Sequence, residues 1–117
     1  MEVKITKVGE INLVRLSGDM DSEASATVLQ SLKPIAKAGG KILLDMEHVD
    51  YVSSAHLHML LQLFKSLYAT SGTLAMLHVT AALKEVFDMS GFSRIIPQYA
   101  SEAEAIAAMS MSNAREP

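Results

Sequence analysis

Cysteine and tryptophan are both absent from this chain of 117 residues. Without cysteine there is no disulfide, no thiol nucleophile and no cysteine-ligated metal, a composition that fits a cytoplasmic protein. The opening segment, MEVKITKVGE, has no apolar core of the kind a signal peptide needs. No apolar run reaches the ~20 residues that span a bilayer, so direct membrane insertion is not expected. Lysine and arginine are scattered and the formal net charge is -3, which argues against a nucleic-acid groove or a patch for anionic membranes.

Enzyme signatures are missing as well. Gly39-Gly40 precedes a strand and has no lysine–hydroxyl pair opening a helix behind it, so it is no phosphate loop. Neither a Gly-x-Ser-x-Gly elbow nor a His-Glu-x-x-His spacing occurs. His56 and His58 stand two apart on an expected helix, roughly 200° around its axis, and cannot share one metal ion. A Ser-His-Asp trio can be written with Ser54 and Asp45, but small chains hold such trios by chance. Met59, Met76 and Met89 read as packing residues. The expectation is a protein with no catalytic residues, no metal and no cofactor.

What is present is a core. Half of the residues are hydrophobic and a fifth are charged, enough for one globular domain without staples. Val3–Thr6 and Ile11–Leu16 alternate around Gly9-Glu10 as a hairpin does. Asp21 or Ser22 caps a helix running through Ala26, Leu29 and Leu32 towards Ala38, with Pro34 predicting a kink or an early end. Lys41–Met46 reads as a strand buried on both faces. Leu57, Leu60, Leu61, Phe64, Leu67 and Tyr68 form one helical stripe, and Met59 and Leu63 lie off its centre.

Thr73–His78 is a further strand, followed by a short helix capped by Thr80 in which Leu83, Val86 and Phe87 share a face. Ile95-Ile96 is expected as the last strand, with Pro97 marking a sheet edge. Ser101 and Glu104 make a capping box for a final helix. The expected architecture is a single α/β domain over residues 1–109, with a mixed four- to five-stranded sheet flanked by about four helices. Residues 110–117 read as a flexible C-terminal tail.

The most informative stretch is Asp45–Leu61, DMEHVDYVSSAHLHMLL, where two serines sit between a buried strand and an amphipathic helix. A helix start has free N–H groups and the positive end of the dipole, so a hydroxyl there is a cap and also a place that accommodates phosphate. Asp19, Asp21 and Asp45 lie near strand ends, where acids commonly serve turns and caps. Their functional reading is an acidic rim close to the double serine, on the same edge of the sheet.

These residues resemble the STAS domain family, typified by anti-sigma factor antagonists. Leu16-Ser-Gly-Asp-Met-Asp21 is similar to the family's Leu-x-Gly-Glu-Leu-Asp turn. Ile42–Asp45 followed by Val49–Ser54, and then Val86–Gly91 with Ile95-Ile96, match its later landmarks in order. The resemblance runs from about Val3 to Met109. It implies a non-enzymatic binding domain, an anti-sigma factor/serine-protein kinase as partner, and a PP2C-type serine phosphatase that reverses the modification.

The resemblance places the phosphorylated residue at Ser54, with Ser53 the second choice because it occupies the family's aspartate position. Asp19, Asp21, Asp45, Ser53, Ser54, His56 and His58 are then the expected partner-binding residues. His56 stands where the family usually has glycine, and His58 where a small residue or arginine is common. The alternative is a STAS-type scaffold, or a transporter-associated subunit, that binds its partners without phosphorylation.

Overall fold

Alternating residues on either side of Gly9-Glu10 fold back as a two-residue hairpin. Strands β1 (Glu2–Val8) and β2 (Ile11–Ser17) pair antiparallel, with Val8 opposite Ile11. Gly9 takes φ +63° at the first turn position, a left-handed value that such tight turns require. The structure, a computed structural model, describes residues 2–18 and 21–111. Asp19, and the expected tail from residue 112 onwards, lie outside the described residues.

From β2 the chain alternates helix and strand: α1 (Ser22–Lys37), β3 (Lys41–His48), α2 (Ser54–Ala69), β4 (Thr73–Leu77), α3 (Ala81–Ser90), a 3-10 turn over Phe92–Arg94, β5 (Gln98–Tyr99) and α4 (Glu102–Met111). The sheet order is β1-β2-β3-β4-β5, with β2 through β5 mutually parallel. Parallel neighbours need long crossovers, and each one here contains a helix. Among the described residues no helix is long and apolar enough to cross a membrane.

Two cores result. Val14, Leu16, Ile42, Leu44, Met46 and Met76 face α1, α2 and α3, meeting Val28 and Leu32, Leu60 and Leu63, and Leu83 and Phe87. Ile11, Leu13, Leu43, Ala75 and Leu77 face the opposite side, where Ala105 and Met109 of α4 cover them. Strand β3 is therefore buried on both faces, as its unbroken apolar run predicts.

Five expectations are corrected. Pro34 does not end α1, which continues to Lys37, because Ala36 still packs into the larger core and this burial outweighs one missing hydrogen bond. The buried face of α2 is His56, Met59, Leu60, Leu63 and Leu67, so the stripe is rotated from the one read above and Tyr68 is exposed. Val86 is likewise exposed while Leu83 and Phe87 are buried. The last strand is Gln98–Tyr99, not Ile95-Ile96. Ile96 is instead held by a turn hydrogen bond to Phe92 and buried, and the carbonyl of Pro97 accepts from Met76 N–H just ahead of the strand. Helix α4 runs through Ser110 to Met111, past the expected start of the tail.

The link from α1 to β3 is crowded. Gly39 has φ +71°, and a Cβ there would lie 2.5 Å from the carbonyl oxygen of Thr70. Gly9 has a similar φ of +63° and open space around it. Left-handed backbone costs an L-residue about 1–2 kcal/mol, so Gly9→Ala is expected to lose about that much. Gly39→Ala is expected to lose at least ~1 kcal/mol more, because the displaced atoms are backbone. Urea unfolding of the two variants checks this, and equal losses would show that the crowding is readily relieved.

Candidate functional site at the start of α2

Residues 49–53 carry the chain out of β3 and turn it into α2. Ser53 sits at the N-cap in extended geometry (φ −80°, ψ 167°), and its Oγ accepts the backbone N–H of His56 at 3.1 Å. The Ser53 carbonyl accepts from His56 and Leu57 N–H. Ser54 follows as the first helical residue and is exposed. The two serines are thus chemically distinct: Ser53 makes the cap and Ser54 presents its side chain at the surface. The first turn of α2 contains no acidic residue, so no carboxylate within that turn offsets the positive end of the helix dipole.

Helix α1 starts on the same edge, since β2 and β3 are parallel neighbours and α1 and α2 pack together. Asp21 caps α1, accepting the N–H of Ala24 at 2.9 Å, and is exposed. Between the helices lies a shallow groove of about 200 Å3, lined by Ala26 and Leu29 on one side and Ala55, His58 and Met59 on the other. His58 is exposed and its ring is 2.8 Å from the Gln62 amide. The structure therefore brings Asp21, Ser53, Ser54 and His58 to one end of the α1–α2 layer.

Two expected members are placed elsewhere. His56 is not on the surface: it is fully buried, and neither ring nitrogen has a hydrogen-bond partner among the described residues. Its position puts it on the inward face with Met59, Leu60 and Leu63. Asp45 shares the sheet edge but not the face. Its side chain has the parity of Leu43, towards α4, away from α1 and α2. There its carboxylate meets Arg15 Nε at 3.4 Å, His78 Nδ1 at 3.1 Å and the backbone N–H of Glu47 at 3.1 Å. Arg15 also reaches Glu102 of α4, at 3.1 Å. The acidic rim is thus divided between two faces. Arg15, Glu47, His78 and Glu102 are distant in sequence, and no spacing pattern could have announced their meeting.

With these positions established, comparison places the chain. Residues 2–105 match the STAS domain, and the chain belongs to that family. It is 32% identical over 110 residues to BtrV of Bordetella bronchiseptica, which is named as a candidate anti-sigma factor antagonist; the match covers 92% of this chain and 93% of that protein. The fold is also that of the anti-sigma factor antagonist SpoIIAA in its unphosphorylated form, with TM-score 0.77 and 20% identity over 95% of this chain and 100% of the other. The phosphorylated form of SpoIIAA, a Bacillus cell fate determinant, superposes with TM-score 0.74 and 23% identity over 92% of this chain and 98% of that one.

Burial lowers the pKa of His56 from 6.5 to about 4, because no neighbour replaces the water that a charged ring would need. The unfolded ring keeps its ordinary value, so on acidification the unfolded state takes up the proton first. The His56 contribution is complete above pH 6.5 and declines down to about pH 4, a loss of about 3 kcal/mol. His56→Leu is expected to remain folded and to lack this component. The difference in unfolding free energy between the two proteins, measured by urea denaturation, should therefore change by about that amount across the window. Parallel stability curves would show that the ring is solvated in solution.

Proposed function

We propose that this chain is an anti-sigma factor antagonist of a partner-switching pathway: a non-enzymatic binding protein gated by phosphorylation of Ser54. Unphosphorylated, it binds an anti-sigma factor that is also its serine-protein kinase. Phosphorylation ends that binding, and a PP2C-type serine phosphatase restores it. The pathway operates in the cytoplasm and needs no cofactor or nucleic acid on this chain.

The observation that carries this reading is the division of labour at the start of α2. Ser53 holds the cap while Ser54 is exposed in a first turn free of acidic residues. A phosphate on Ser54 adds close to two negative charges. Towards the helix it is favourable, since it meets the dipole and the free N–H groups. Towards a docked partner it is unfavourable, because a dianion must be desolvated beside Asp21 on the same rim. A net cost of 1.4 kcal/mol lowers affinity tenfold, so one phosphate is enough to release a partner of moderate affinity. The groove between α1 and α2, with Leu29 and Met59 in its wall, supplies apolar contact for the unmodified complex.

Intact-mass and site-mapping analysis of the protein purified from its own cells tests the assignment. One phosphate is expected on Ser54, absent in Ser54→Ala. Ser54→Asp should bind the anti-sigma factor at least about tenfold more weakly. Ser53→Ala should still accept phosphate but lose about 1 kcal/mol of stability with its cap. Unmodified protein under every growth condition, together with equal partner capture by wild type and Ser54→Ala, would favour the ungated scaffold.

A further inference from the structure

A second constellation lies at the same ends of the strands but on the α4 face, and the proposed switch does not use it. The ligand atoms of Asp45, Glu47 and His78 all fall within 4.8 Å of one another. His78 Nδ1 is 3.1 Å from Asp45 Oδ1 and 4.0 Å from Glu47 Oε1. An ion bound tetrahedrally at zinc distances has ligands about 3.3 Å apart, so the two observed separations bracket that value. We propose that Asp45, Glu47 and His78 form a binding site for a borderline divalent metal ion of the zinc class.

Charge supports the assignment. Asp45 and Glu102 share one guanidinium, that of Arg15, while the Glu47 carboxylate beside Asp45 and His78 has no Lys or Arg partner among the described residues. The surplus of negative charge is what a divalent cation neutralises. The buried carboxylate is also held from behind: Arg15 Nε lies 3.4 Å from Oδ2, leaving Oδ1 towards His78 and Glu47. Such outer partners orient the ligands of metal sites. His48 adds a second imidazole at the rim, with Nε2 3.6 Å from Glu47 Oε1.

The site is open to solvent on the side of the exposed Glu47 carboxylate, and a hollow of about 330 Å3 lined by His78, Val79, Gln98, Tyr99 and Ala100 adjoins the histidine. It leaves room for water to complete the shell. One or two imidazoles with two carboxylates suit zinc, whereas magnesium and calcium call for more oxygen ligands. Binding requires the neutral tautomer of His78 with its lone pair on Nδ1, so the ion replaces the present Asp45–His78 hydrogen bond.

The test is calorimetric titration of the full chain with zinc chloride at neutral pH. Saturable one-to-one binding is expected, weakened at least about tenfold by His78→Ala and by Glu47→Gln. Glu47→Gln is near-isosteric at an exposed side chain and keeps the folded state comparable. His58→Ala, which removes an exposed histidine on the other face, should leave zinc affinity unchanged. No saturable binding at sub-millimolar zinc, wild-type affinity in Glu47→Gln, or loss of binding in His58→Ala would each overturn the site.

Discussion

The burial of β3 on both faces is the constraint from which the rest of the arrangement follows. Ile42, Leu44 and Met46 fill the core beneath α1, α2 and α3, while Leu43 fills the one beneath α4. A strand with no wet face must pair its backbone on both edges, and β2 and β4 do this in parallel. Parallel pairing sends each connection back across the sheet as a helix. The carboxyl ends of β2, β3 and β4 therefore share one edge, from which α1 and α2 set out side by side. Both candidate constellations lie there because of that geometry.

Within this frame two of the buried polar side chains, Asp45 and His56, behave in opposite ways. Asp45 has partners for its charge: a guanidinium, an imidazole and a backbone N–H. These contacts compensate a buried carboxylate for the water it gives up. His56 has none, and it stays neutral because a charged ring would lose its hydration without replacement. The first turn of α2 is therefore seated on an imidazole that fits only in its uncharged form. Ser54, two residues earlier, stands at the solvent side of the same turn. The inner wall of the candidate switch is apolar in character, although its residue is polar by type.

The outer wall works by a separation of roles. A single serine serving both as cap and as acceptor would lose its capping geometry when modified. With Ser53 holding the His56 N–H, the helix start survives a change at Ser54. In the proposed switch, the helix dipole and the docking surface would respond to a phosphate on Ser54 with opposite sign. Under that proposal, the opposition would let a local modification leave the fold intact while altering association.

Local patterns were legible wherever the chemistry was local. The hairpin at Gly9-Glu10, a cap at Asp21 or Ser22 that the structure gives to Asp21, the cap at Thr80, and the doubly buried Lys41–Met46 run all follow from neighbouring residues. Their order, compared with a known family, was sufficient for the fold. Legibility failed where packing chose among locally equivalent options. Pro34 was retained in a helix because Ala36 had a core to enter. Ile95-Ile96 yielded to Gln98–Tyr99 because the turn after α3 consumed its hydrogen bonds. The stripe of α2 rotated until His56 faced inward.

By itself the sequence determined the element types, the two serines at a helix start and the absence of thiol chemistry. Those properties depend on composition and on contacts within a few residues. Only the tertiary structure decided that Asp45, expected with Asp21 on the rim beside Ser54, turns instead towards α4 and joins Arg15, Glu47 and His78. Which face a strand residue takes follows from alternation, but which helix covers that face follows from the crossovers. Groups separated by thirty or more positions meet only when the sheet has closed.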